Sequence, residues 1–429
     1  MRPLTHSLQE PRHTPTMFNA KDDTATARPG LVKRLLVPEV VLLLAVGLSF
    51  AVWAIPGESP QLRGFSQRSS LTFESFAPVF LWYVALAGAT ALARRIGLAT
   101  AERRHRGAPV VGAPQQRLAY WLLTVAALVG TTYALLQVGS LQGLAAALSA
   151  NEGNLLNESL GGQSGLATLR YTTAIAAPFG FYLLAKRIVG WPSVLLNLSL
   201  LFATALFSSR LSLLLAVVVA AFLLTRETTR FRLRARLAVP AGSIIFIALV
   251  AFNYWRNANY YRALGIEDPI SMNFYQVAAY LGAPAQASIG MADAMSRSLI
   301  DPSGSPLLLL VPSFLRASDD VVTGGPRYPA GVDVAGNLTT NSVFADVANI
   351  YGYSGLLIVF VVYIVLAFVF GRVQNRTDSL AILGGVILYC FAEVWRIYLV
   401  NQGIVSYLIV ATLGAYLASR MLAPAKSDA

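Results

Sequence analysis

The sequence is short of charge, cysteine and histidine. Asp, Glu, Lys and Arg make up 13% of its 429 residues, against roughly 25% in a soluble domain. A single cysteine, Cys390, excludes a disulfide within the chain and a cysteine-ligated metal, and its apolar neighbours mark it as a small packing residue. The three histidines are His6, His13 and His105. All lie in segments that the charge pattern assigns to the cytoplasm, so an external Ser-His-Asp triad and a His-ligated metal are excluded. There is no Walker loop and no dinucleotide fingerprint. No metal site and no cofactor is expected.

What is present is hydrophobic. Apolar residues form 55% of the chain, and the mean hydropathy is +0.58. The apolar stretches are continuous rather than alternating, so they read as helices and not as barrel strands. In lipid every backbone polar group needs an internal partner, which a helix supplies. The expected fold is an all-α polytopic membrane protein of about ten spanning helices. A net charge of +12 does not imply nucleic acid, because the basic residues lie between apolar runs and not on one soluble domain.

Residues 1–34 read as a disordered cytoplasmic tail and not as a signal peptide. Helices one to seven fall within 35–253. They are placed at about Leu35–Ala54, Phe76–Ala93, Leu118–Val138, Thr172–Ala185, Val194–Phe207, Leu211–Thr225 and Leu237–Phe252. Leu141–Ala150 could form a short interfacial helix. Helices eight to ten fall within 342–419, at about Ser342–Phe370, Leu380–Val400 and Ile404–Ser419, before a short tail over 420–429. Lys and Arg concentrate in alternate connections: Arg94 to Arg117, Lys186-Arg187, Arg226 to Arg236, Arg372 to Arg376, and Arg420. By the positive-inside rule, these and both termini are cytoplasmic.

That orientation puts the long polar segment 254–341 outside. Within it, Phe274–Met295 carries helix formers with a break at Gly282-Ala283-Pro284, Leu307–Leu315 is too short to span, and Asp319–Asn337 has turn composition. The latter reads equally as a mobile lid or a solvated connector. Arg256, Arg262, Arg297, Arg316 and Arg327 then run against the charge trend, as do Arg210, in a three-residue turn, and Arg396, beside Glu393 in an apolar run. An ionisable residue in a span is a functional candidate by default. Arginine suits phosphate, since its planar fork binds two oxygens. Nearby carboxylates suit a general base. Asp346, Glu393, Asp319 and Asp320 are the candidates. Tyr261 and Tyr280 could stack on sugar rings, or anchor the chain at the interface. Arg210 could equally snorkel from a helix end, Glu393 and Arg396 could be a buried structural pair, and Asp346 could serve only the helix dipole.

These pieces resemble a family. Phe207-Ser208-Ser209-Arg210 between two apolar runs, Tyr260-Tyr261-Arg262 opening the long loop, Tyr280-Leu281-Gly282 within it, and Asn341-Ser342-Val343-Phe344 followed by Tyr351-Gly352-Tyr353-Ser354-Gly355 are similar to the Wzy-type polymerases of O-antigen and exopolysaccharide. The resemblance covers roughly 193–355. It implies polymerisation of undecaprenyl-pyrophosphate-linked oligosaccharide repeats at the outer face of the bacterial inner membrane, without nucleotide sugar. It also implies the lipid bilayer, a chain-length regulator and a flippase as partners. For such a substrate, Arg210, Arg256, Arg262, Arg316, Arg327, Arg396, Tyr261, Tyr280 and Asn341 are the candidate binding residues, the arginines for pyrophosphate and the tyrosines for sugar. The chain lacks the family's arginine followed eleven residues later by glycine, so the donor-binding set does not carry over by motif. The alternatives are an O-antigen ligase or a transporter of lipid-linked oligosaccharide. A lipopolysaccharide ligase would be expected to use an external histidine, and a transporter internal repeats. The chain has neither.

Overall fold

The computed structural model describes residues 34–55, 64–104, 112–137, 165–208, 210–226, 258–312 and 342–422, with isolated positions between 247 and 254 and between 315 and 338. Among them there is helix and no strand. The helices are α1 (Pro38–Ala54), α2 (Phe73–Arg104), α3 (Ala113–Gln137), a 3-10 turn (Leu166–Thr172), α4 (Thr173–Ala185), α5 (Trp191–Ser208), α6 (Arg210–Leu224), α7 (Pro269–Ser296), α8 (Val343–Val373), α9 (Ala381–Glu393) and α10 (Gly403–Leu422). The expected tail over 1–33, the interfacial Leu141–Ala150 piece and most of the Leu237–Phe252 run lie outside the described residues.

Four helices, α2, α3, α8 and α10, are long and apolar enough to cross a membrane. Their outer faces are apolar. On α8 the exposed residues Leu357, Val361 and Val365 recur every four positions, while Val359, Tyr363, Ala367 and Phe370 on the other face are fully buried. An apolar stripe of this length is unfavourable in water and favourable in lipid.

Helix α8 lies along α2, and both run the same way. Near one end Trp82 of α2 meets Phe344 of α8 edge-on at 5.9 Å. Near the other, Gly97 and Gly371 let the backbones touch: a Cβ on either would lie 2.1 Å from a carbonyl oxygen of the facing helix, Phe368 or Arg94. Small residues at such a crossing replace the hydrophobic drive that lipid does not provide. Helix α1 runs the opposite way, because Glu39 in its first turn accepts from Arg94 near the end of α2 at 2.6 Å. These contacts define two ends of the bundle. The Arg94 end gathers basic residues, with Lys186 donating to Thr377 and Arg376 pairing with Asp378.

Two expectations about helix limits are corrected. Gly282-Ala283-Pro284 does not break the chain: α7 runs through it for 28 residues. The small residues make a buried contact surface, where Leu281 O accepts from Ser49 of α1 at 2.7 Å. Buried Gln286, one turn on, accepts from Trp53 Nε1 (2.8 Å) and donates to Gln67 O (2.8 Å). Packing thus outweighs proline's missing donor. The ninth run ends early, at Glu393 and not Val400. The amides of Arg396 and Ile397 both donate to Glu393 O, at 2.9 and 2.8 Å, which turns the chain.

Helix α8 contains a break that its apolar composition hides. Gly352 has φ +63° and ψ −155°, a conformation open to glycine and few others. The break releases the carbonyl of Ile350, which accepts from Gly304 N at 2.9 Å. A short segment, Val343–Tyr351, is thereby set off from the long apolar one.

Candidate active site

Tyr280, Glu393 and Arg396 meet at the end of the bundle opposite Arg94. Arg396 lies in the turn after α9, 2% exposed, and Glu393 is 7% exposed. Arg396 Nε donates to Glu393 Oε2 at 2.9 Å, and its Nη2 also pairs with that oxygen. Arg396 Nη1 donates to the Tyr280 hydroxyl at 3.0 Å, and the guanidinium stands 4.5 Å from the Tyr280 ring centroid. The turn itself is pinned from outside: Tyr83 of α2 donates to Trp395 O (3.3 Å) and Tyr398 to Leu309 O (3.3 Å). A buried ion pair survives only with close geometry and added hydrogen bonds, and both are present.

Asp346 stands in the first turn of α8, half-buried, and accepts from Tyr328, whose hydroxyl is 2.5 Å from Oδ1. Ser342 caps that helix by accepting from Ala345 N (3.1 Å) and bonds Ser288 of α7 (2.6 Å). Ser288 is eight residues, about 12 Å of helical rise, along α7 from Tyr280. One helix therefore brings the Asp346 turn and the Arg396 turn to one bundle end. Among the described residues, two buried donors there have no partner: Trp82 Nε1, beside Phe344, and the Tyr389 hydroxyl, one turn before Glu393. Carboxylates, an arginine, aromatic rings and spare donors thus gather at this end, group types whose chemistry suits hydroxyl-rich and anionic partners.

The other sequence candidates are placed as follows. Arg262 is exposed and donates to the Tyr254 hydroxyl at 2.6 Å, away from the Arg396 turn in its contacts. Tyr261 is 2% exposed and packs with Ala258 and Met272, so its ring faces protein. Arg210 opens α6, with its side chain outside what is described. Arg256, Arg316, Asp319, Asp320, Arg327 and Asn341 lie outside the described residues. Asp333, in the same polar segment, accepts from the amides of Ser66 and Gln67 at 2.8 and 2.6 Å. The sequence reading passed over Tyr328, Trp82, Tyr389 and the buried Arg170. For Arg170 the signal was available, since it runs against the charge trend as Arg210 does.

No protein-family model, no curated protein and no solved structure matches the chain. What the fold defines is a class, an all-α protein with helices suited to crossing a membrane.

Proposed function

We propose that the chain is a bacterial inner-membrane polymerase of undecaprenyl-pyrophosphate-linked oligosaccharide repeats. In this reading it has ten spans, both termini are cytoplasmic, and residues 254–341 face outward. The observation that carries the reading is the half-buried Asp346 carboxylate, held by Tyr328 at the bundle end that also holds Tyr280, Glu393 and Arg396. The gathering of basic residues at the Arg94 end supports that end as the cytoplasmic one.

Asp346 is the base. It takes the proton from the acceptor hydroxyl as that oxygen bonds the donor's anomeric carbon. The bond from that carbon to the pyrophosphate oxygen breaks, and the electron pair leaves with the lipid pyrophosphate, inverting the centre. Glu393 pairs through Oε2 with Arg396 in the buried turn, and in this reading it positions that arginine. Arg210, Arg256, Arg262, Arg316 and Arg327 hold the leaving pyrophosphate. The test replaces Arg210 or Arg262 with Ala in the producing cell. Long-chain polysaccharide is lost while the protein remains inserted; normal chain lengths from both variants refute the assignment.

A further inference from the structure

Arg170 is a buried cation that the proposed reaction does not use. It lies in the turn Leu166–Thr172 and is 6% exposed. Nη2 donates to the Tyr171 hydroxyl at 3.2 Å, and the guanidinium lies 4.9 Å from the centroid of that ring. Nε is buried with no hydrogen-bond partner. Among the described residues the ion pairs are Arg94–Glu39, Arg297–Asp293, Arg376–Asp378 and Arg396–Glu393, and none includes Arg170. Arg396, equally buried, has its carboxylate.

The backbone holds Arg170 inside. A Cβ on Gly130 of α3 would lie 2.1 Å from Arg170 N, so the turn rests directly on that helix. The Arg170 carbonyl accepts from Thr173 (2.8 Å) and from Thr204 of α5 (3.4 Å). Thr172 bonds the Tyr407 hydroxyl of α10 at 2.5 Å. A long basic side chain near a helix end normally extends its charge to water; this one does not. A buried guanidinium without a counter-ion is strongly unfavourable. Nε, left open beside the Nη groups, supplies one prong of the side-on fork that takes two oxygens of a phosphate.

We propose that Arg170 is the centre of a second anion site, where α3, α5 and α10 meet the Leu166–Thr172 turn, and that its ligand is a phosphate-type oxyanion. The site is separate from the Arg396 turn and does not depend on glycosyl transfer. The phosphate comes from a lipid headgroup or from a soluble pyrophosphate.

The test uses the full chain purified in detergent. Its melting temperature is followed against inorganic pyrophosphate, and in micelles doped with phosphatidic acid or, as control, diacylglycerol. Wild type responds saturably to pyrophosphate, to phosphatidic acid or to both, and the pattern identifies the source. Arg170→Lys, which keeps the charge but not the fork, weakens the apparent affinity by about tenfold or more. In an Arg210→Ala, Arg262→Ala background, which removes the response of the proposed donor site, Arg170→Gln abolishes what remains, and Arg297→Gln, at an exposed pair, leaves it unchanged. An equal response in that background with and without Arg170→Gln overturns the proposal, as does a wild type that answers neither probe. Should the variants not fold, hydrogen–deuterium exchange of the unaltered chain decides: the effective probe slows exchange over residues 166–172 and not around Arg297, and no slowing overturns the site.

Discussion

Asp346 and Glu393 are both carboxylates beside an aromatic hydroxyl or a cation, yet they differ in partner and burial. Glu393 is 7% exposed and pairs through Oε2 with the Arg396 guanidinium, while Asp346 is half-buried and held by a tyrosine hydroxyl. Asp346→Asn is therefore expected to lower polymerisation by about 10²-fold or more, with protein abundance unchanged. Lipid-linked product length on a gel reads this out. Removing one partner of the buried pair has a different consequence. Arg396→Met strands the Glu393 charge and is expected to cost about 3–5 kcal/mol, whereas Arg396→Met with Glu393→Leu costs far less. Denaturation of purified variants measures the difference, and equal losses in the single and double variants would contradict a pair whose charges compensate one another. Arg396 and Glu393 were legible in the sequence as charges in an apolar run. Their pairing was one of the readings open in the sequence, but the turn after α9 that makes it was not legible, because Val394-Trp395 and Ile397–Val400 continue the apolar composition past the helix end. Tyr328 was not legible at all: it is 18 residues from Asp346 in a polar segment, and only folding places its hydroxyl on the carboxylate.

At the scale of elements, the apolar runs announced most of the helices, since roughly 20 apolar residues leave few other forms. What they did not announce comes from contact between elements. Composition reads Ser342–Phe370 as one helix, but Gly352 divides it, with Pro302 atoms 3.0 and 3.4 Å from where its Cβ would stand and Gly304 on the released carbonyl. Gly352→Ala is expected to destabilise the protein by about 1–3 kcal/mol and to disturb the Asp346 segment, lowering activity at temperatures where the fold persists. Thermal melting and polymer length check both parts; an unchanged melt would contradict the conformational requirement. Gly97→Leu forces a side chain onto the Phe368 carbonyl. It is expected to separate α2 from α8 and sharply lower the yield of folded protein, seen as aggregation in size-exclusion chromatography.

For the whole molecule, the two bundle ends carry the account. Basic residues gather at one end, and carboxylates, aromatics and buried arginines at the other. That the connections bearing Arg94, Lys186 and Arg376 share a bundle end was legible from Lys and Arg placement, while the side of the membrane that this end faces is an expectation from the same placement. The common location of Tyr280, Asp346 and Arg396 was not, because α7 joins them only through tertiary contacts. Orientation is checked by single cysteines in a Cys390→Ala background. At the exposed positions 301 and 420, a membrane-impermeant maleimide applied to intact cells stripped of their outer membrane is expected to label Asp301→Cys and spare Arg420→Cys. The reverse pattern would invert the account.

The most direct measurement mixes the purified protein with lipid-pyrophosphate-linked repeats extracted from cells lacking it, without any nucleotide sugar. Mass spectrometry follows the products. The account predicts lipid-linked dimers, trimers and longer oligomers, with one lipid pyrophosphate released for each new linkage, and none of this from Asp346→Asn. Repeats returned unchanged, or moved intact to a different lipid or protein acceptor, would contradict it.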